Sequence, residues 1–256
     1  MKKHFFFIMI LVIITSSCNK ILDYYHNHKG DNAASCKILS LSYKDSVSER
    51  KTEISYNAAG YPESVTYTSS DIYTSGPPLT YIFNYKYDVL NRLISETSDW
   101  VYTQNIVYYA YEGNSKVPVR DTIPGLFGDI YVEDLESDNL GRITKVTKRI
   151  IQNPEDPIDF PTEVHKYYYD GHGNRQEDPS NAKYPGVIVY NNKPSLYTLH
   201  PVWNIIHKDY SKNSVSYGET YNDKGFPLTI KRGNADYFQP FLDMLPGDEI
   251  DYDCTD

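Results

Sequence analysis

Tyr87-Asp88-Val89-Leu90-Asn91-Arg92-Leu93 is the stretch that decides the fold. An Asx side chain caps the start of a type I turn, and Asn or Gly three residues later accepts the left-handed conformation that ends it. A type I turn closed in this way is a common hairpin connection. The stretch therefore reads as a hairpin tip. The same spacing recurs at Tyr56-Asn57-Ala58-Ala59-Gly60, Ser137-Asp138-Asn139-Leu140-Gly141, Tyr169-Asp170-Gly171-His172-Gly173 and Tyr221-Asn222-Asp223-Lys224-Gly225. Every copy has Asp or Asn second and Gly or Asn fifth, and four of the five open with Tyr. Left-handed backbone is predicted at Gly60, Asn91, Gly141, Gly173 and Gly225.

Strands flank these tips. Tyr81, Phe83, Tyr85 and Tyr87 alternate with Ile82, Asn84, Lys86 and Asp88, which marks one packed face and one wet face. Tyr, at 26 of 256 residues, favours strands, and no stretch carries a useful 3.6-residue period. The predicted class is all-β, an antiparallel meander of repeated hairpins curled into a sheet, barrel or half-barrel. Successive tips lie 31, 50, 32 and 52 residues apart, which suggests two similar halves, roughly 50–130 and 131–215, plus a closing hairpin. Within this scheme Glu112–Gly128 reads as a long connection. Ile205–Tyr210, Ser214–Tyr221 and Phe226–Arg232 read as strands. Asn174-Arg175-Gln176-Glu177-Asp178-Pro179, after the fourth tip, does not. Phe238–Leu245 reads as one or two helical turns, and the acidic end, Asp248–Asp256, as a solvated tail.

The chain opens Met1-Lys2-Lys3-His4 and runs from Phe5 to Ile14 without a polar residue. That run is too short to span a bilayer and fits an export signal. Thr15-Ser16-Ser17-Cys18 resembles a bacterial lipoprotein signal cleaved before Cys18. Residues 1–17 are then the signal, 18–35 a tether and 36–256 a single β-repeat domain, with Cys18 as the lipidation site. Export leaves Cys36 and Cys254 in an oxidising compartment, where they either form a disulfide or remain two free thiols. The net charge of −9 argues against a nucleic-acid partner.

The tip pattern resembles the YD repeat, the Tyr-Asp-x-x-Gly-Arg unit of RHS proteins and teneurins. The match is closest at Tyr87–Leu93 and at Asp138–Ile143, where Arg92 and Arg142 hold the Arg place; Tyr61 and Phe226 replace it in the first and fifth copies. The layout resembles short Bacteroidetes lipoproteins of unknown function, some described as porin-like in fold. The Tyr190–Tyr197 segment resembles a loop of the same proteins. The resemblance implies a cell-envelope location, at the outer membrane on its periplasmic or surface side, and is silent on activity.

No serine-hydrolase, zinc-protease, phosphate-loop or dinucleotide motif occurs. No cofactor or metal is expected, and His26, His28, His165, His172, His200 and His207 read as structural or solvated. The leading functional reading is non-enzymatic binding or scaffolding through an aromatic sheet, with a glycan or peptide as ligand. Trp203, Tyr108, Tyr109 and Tyr111 are the candidate contacts, because the three tyrosines fall on both faces of one strand and some rings must lie outside the core. Trp100 is the other tryptophan. A structural spacer or shell is a second reading, and a glycan or peptide hydrolase a third.

Overall fold

The computed structural model describes residues 36–71, 77–99, 106–125, 129–151, 161–178, 188–215, 218–230 and 249–254. The expected signal and tether, Cys18, His26, His28, Trp100 and the 238–245 turn lie outside the described residues. Among those described, fourteen strands form one antiparallel sheet. They are β1 Cys36–Lys44, β2 Ser48–Tyr56, β3 Pro62–Asp71, β4 Leu79–Tyr87, β5 Leu93–Ser98, β6 Ile106–Ala110, β7 Arg120–Pro124, β8 Ile130–Ser137, β9 Ile143–Ile151, β10 Glu163–Tyr169, β11 Arg175–Glu177, β12 Gly218–Tyr221, β13 Pro227–Ile230 and β14 Glu249–Cys254. The sheet order runs from β11 down to β1, then β14, β13 and β12. That is the cyclic order of a meander, opened once, between β11 and β12. The sheet is therefore curled and not closed.

The chain turns inward at that opening. Residues 191–195 and 212–214 pair as a short ladder, with Ser195 N–H donating to the Lys212 carbonyl at 2.8 Å and Ser214 N–H to that of Lys193 at 2.8 Å. Between them a 3-10 turn, Leu196–Leu199, leads into helix α1, Pro201–His207. His200 caps the helix through Nδ1, which accepts the Val202 N–H at 3.2 Å, and Pro201 fits its first turn. Leu196, Tyr197, Leu199, Val202, Trp203 and Ile205 pack with Ile38, Val65, Tyr85 and Phe226 of the sheet in one core. This segment is a plug. It corrects the strand expected at Ile205–Tyr210: seven residues of helix are too few to show a period in sequence.

The five predicted tips share one geometry. The Asx oxygen accepts two backbone N–H groups, two and four residues on, as Asp88 Oδ1 does from Leu90 and Arg92 at 2.9 Å each. Asn57, Asp138, Asp170 and Asn222 repeat it. The fifth residue is left-handed each time, from φ 57 at Asn91 to φ 84 at Gly60 and Gly225.

Several tips also hold the next. The opening tyrosine donates its hydroxyl to the carbonyl of the seventh residue of the tip before it: Tyr87 to Pro62 at 2.6 Å and Tyr169 to Ile143 at 3.3 Å. The sixth residue covers the same ring. Tyr61 meets Tyr87 edge-on at 5.2 Å, and the Arg142 guanidinium lies 4.1 Å over Tyr169. Arg92 and Arg142 bind back to Asp88 and Asp138 at 2.7 Å, so the Arg place both braces its own turn and covers the next ring.

This rule exposes three tips that the sequence pattern does not show, one of them opened by Tyr190, which donates to the Arg175 carbonyl at 2.6 Å. Tyr111 donates to Leu93 at 2.8 Å beneath Arg92, and Tyr252 donates to Pro227 at 2.7 Å beside Phe226. Tyr252 opens a tip whose turn is cut. Its partner across the ladder is Ile38, with the same one-residue bulge that follows tips one, two, three and five. Cys36 and Cys254 join the halves, sulfur to sulfur at 2.01 Å. Lys37 then covers Tyr56, whose hydroxyl donates to Ile38 at 2.9 Å. Strands β1 and β14 are thus two halves of one repeat.

Several expectations change accordingly. The connection at Glu112–Gly128 contains β7. The fourth copy does have a second arm, the three residues of β11. Within the acidic end, Glu249–Cys254 is a strand and not a solvated tail, because Ile250 and Tyr252 alternate inward along β14.

Candidate functional site

The inward face divides along the strand axis. On β4, Tyr85 is 6% exposed, Phe83 and Tyr81 are half-buried, and Leu79 is 61% exposed. On β10, Tyr169 and Tyr167 are half-buried while His165 and Glu163 are exposed. The core thus sits beside the tips, and burial falls toward the rim of longer connections. In that less buried part, one inward row runs Leu41–Thr52–Tyr67–Tyr81 across β1 to β4, and the next runs Tyr43–Arg50–Ser69–Leu79. Tyr67 and Tyr81 stack, with centroids 6.0 Å apart and planes 14° from parallel. The Arg50 guanidinium lies 4.4 Å over Tyr43, and Lys148 Nζ lies 5.5 Å from the Tyr131 ring. Flat rings with hydroxyl edges, flanked by cations, form a wall suited to sugars or peptide.

The opposite sector, β5 to β8, is charged. Tyr109, Asp121 and Glu133 are cross-strand neighbours on the inward face. Lys208, just past α1, reaches them: its Nζ lies 2.9 Å from Asp121 Oδ2 and 2.8 Å from Glu133 Oε2. Burial alone would lower the Lys208 pKa, but these two carboxylates hold it above its usual value. Burial raises the Asp121 carboxyl, with Lys208 opposing and Glu133 adding to the rise. Glu96, on β5, is pushed up to about 7 by burial, against Lys208 and a hydrogen bond from Tyr109. Behind Lys208, Asp209 accepts from Ser211 Oγ at 2.5 Å and lies 3.9 Å from Arg175 Nε. Burial holds His200 and His207 down to about 4, so both are neutral at pH 7. Asp121 and Glu133 are engaged with Lys208, an arrangement that anchors the plug.

The sequence-predicted contacts scatter. Trp203 is 0% exposed, edge-on to Tyr85 at 6.1 Å, and Tyr109 is buried. Tyr111 is tied into the tip rim. Only Tyr108, 50% exposed, faces outward. Trp203 and Tyr109 are therefore core residues and not ligand contacts: the helix that carries Trp203 points it into the sheet. The wall residues Tyr67 and Tyr43 were missed individually, although the alternation through Tyr81 places that face. Lys208 gave no sequence signal.

No protein-family model matches the chain, and no curated protein matches it. Among solved structures it is similar to a porin-like protein from Bacteroides uniformis, with 11% identity, a TM-score of 0.48, and coverage of 86% of this chain and 96% of that one. A membrane-spanning barrel turns an apolar band outward and polar groups inward. In the described residues both faces are mixed, the inward one carrying the charged Lys208 sector as well as the apolar core. Outward positions carry the ion pairs Lys51–Glu53, Lys145–Glu136 and Arg120–Asp134–Arg149. Ile38, Leu41, Ile54 and Val65 point inward.

Proposed function

We propose that this chain is a non-enzymatic binding protein of the cell envelope, anchored by lipid at Cys18, whose ligand is a glycan or peptide held on the inward wall around Tyr67 and Tyr81. The observation that carries the reading is the stacked tyrosine pair in the less buried half of the interior. These rings are not needed to fill the core, which the plug already fills beside the tips. Two acyl chains hold a protein stably at a membrane where one holds it marginally. Glycan and peptide arrays test the site: Tyr81→Ala and Tyr67→Ala should each remove binding with the circular dichroism spectrum intact. Binding that survives both substitutions sinks it. The anchor is tested separately, since Cys18→Ala should release the protein from the membrane fraction and end fatty-acid labelling.

The plug favours a second reading, a structural spacer. Under it the arrays stay blank and Tyr67 and Tyr81 merely pair across strands, a contact of under about 1 kcal/mol.

A further inference from the structure

The chain enters the sheet at the tip rim. Cys36 opens β1 beside the first tip, where the Tyr56 hydroxyl donates to Ile38 and Lys37 covers the Tyr56 ring. Cys18, the proposed lipid site, lies eighteen residues earlier. A chain spans at most about 3.6 Å per residue, so a lipid at Cys18 keeps Cys36 within about 65 Å of the bilayer. Tethering of this kind supplies a high effective concentration, and a weak affinity of the rim for the membrane then suffices to orient the sheet.

The apices of three tips are apolar. Val89 is 98% exposed, Leu90 39% and Leu140 37%, and Ala58 and Ala59 are exposed. The fourth and fifth tips carry Gly171-His172 and Asp223-Lys224 in the same places, so the apolar apices form one sector of the rim. Polar groups at these apices already have partners. The Ala59, Leu90 and Leu140 N–H groups donate to Asn57, Asp88 and Asp138 at 2.9 to 3.0 Å. The Leu90 carbonyl accepts from Lys116 Nζ at 2.5 Å. The Asp88 and Asp138 carboxylates are neutralised by Arg92 and Arg142 at 2.7 Å. Groups paired in this way lose little when water is withdrawn, whereas unpaired ones lose much.

We propose that the tip-rim sector formed by Ala58-Ala59, Val89-Leu90 and Leu140 seats on the bilayer that holds the Cys18 lipid, with these side chains in the headgroup layer. The inference rests on the lipid anchor proposed above and deepens it. Apolar side chains bind an interface by partial insertion. The net charge of −9 makes insertion, and not attraction to anionic lipid, the contact. Seated in this way, the sheet turns its Tyr67–Tyr81 wall away from the membrane, toward ligands that arrive from the aqueous side.

The full lipidated chain in phosphatidylcholine vesicles tests this. The vesicles contain a lipid with a diazirine at headgroup level and no second protein. Adducts are mapped by mass spectrometry after photolysis, and fatty-acid labelling is followed in parallel. Val89, Leu90 and Leu140 should carry at least about tenfold more adduct than Leu79 at the other rim, since moving part of one Val or Leu side chain out of water gives that factor. Val89→Ser combined with Leu90→Ser should also cut the adducts at Leu140, with fatty-acid label and circular dichroism unchanged. Adducts spread evenly between the rims, or concentrated at Leu79, overturn the inference and leave the anchor standing. A tip rim without adducts on these vesicles points to a protein partner and overturns it equally. Absence of fatty-acid label overturns the anchor, and the inference with it.

Discussion

The two rims of the sheet are built on different rules. At the tip rim five turns repeat one cap, Tyr56, Tyr87, Tyr111, Tyr169 and Tyr252 each donate to the tip before, and the plug packs the interior. At the other rim the connections differ in length, and the inward rings of Tyr67, Tyr81 and Tyr43 stack in pairs. The difference teaches that the tyrosine surplus has two uses. Tyr56, Tyr87, Tyr111, Tyr169 and Tyr252 hold the repeat together through their hydroxyls. Tyr67 and Tyr81 instead stack on each other across β3 and β4.

The contrast breaks most readily where the repeat itself is cut. Cys36 and Cys254 close a separation of 218 residues in place of a peptide turn. Replacing both by Ala should cost about 5 kcal/mol on the chain-entropy account, read from denaturant midpoints. Trp203→Ala empties the plug side and should cost about 3–5 kcal/mol. Gly141→Val forces a branched side chain into φ 73 at a tip and should cost about 1–2 kcal/mol or more, while Leu140→Val, at a plain turn position, should change little. Tyr87→Phe removes one rim hydrogen bond and should cost about 1 kcal/mol. Tyr67→Phe, at the other rim, keeps the stacked ring and should fall within about 0.5 kcal/mol of wild type. Equal losses in the last pair would erase the distinction between the two uses.

Local chemistry made the tips legible in sequence, because Asx-x-x-Gly names its own geometry. The long intervals hid the rest. The 50-residue interval after Tyr87 contains the Tyr111 tip, whose turn is lengthened and lacks the Asx. The 52-residue interval after Tyr169 contains the plug where a hairpin would otherwise stand. Tyr252-Asp253 follows Tyr221-Asn222 by 31 residues, as Tyr87-Asp88 follows Tyr56-Asn57, so the cut repeat was readable from spacing. The plug was not. Its helix is too short for periodicity, and Lys208 takes its meaning only from Asp121 and Glu133, acids 87 and 75 residues away in the chain. Trp203 shows the same limit, since a lone tryptophan between histidines carries no sign of which way it faces.

The central claim is that the interior is filled beside the tips and accessible toward the other rim. Tyrosine nitration of the native protein, mapped by mass spectrometry, tests it in one experiment. Tyr67 and Tyr81 should be modified well before Tyr85 and Tyr109. Protection of all four to the same degree would contradict the account.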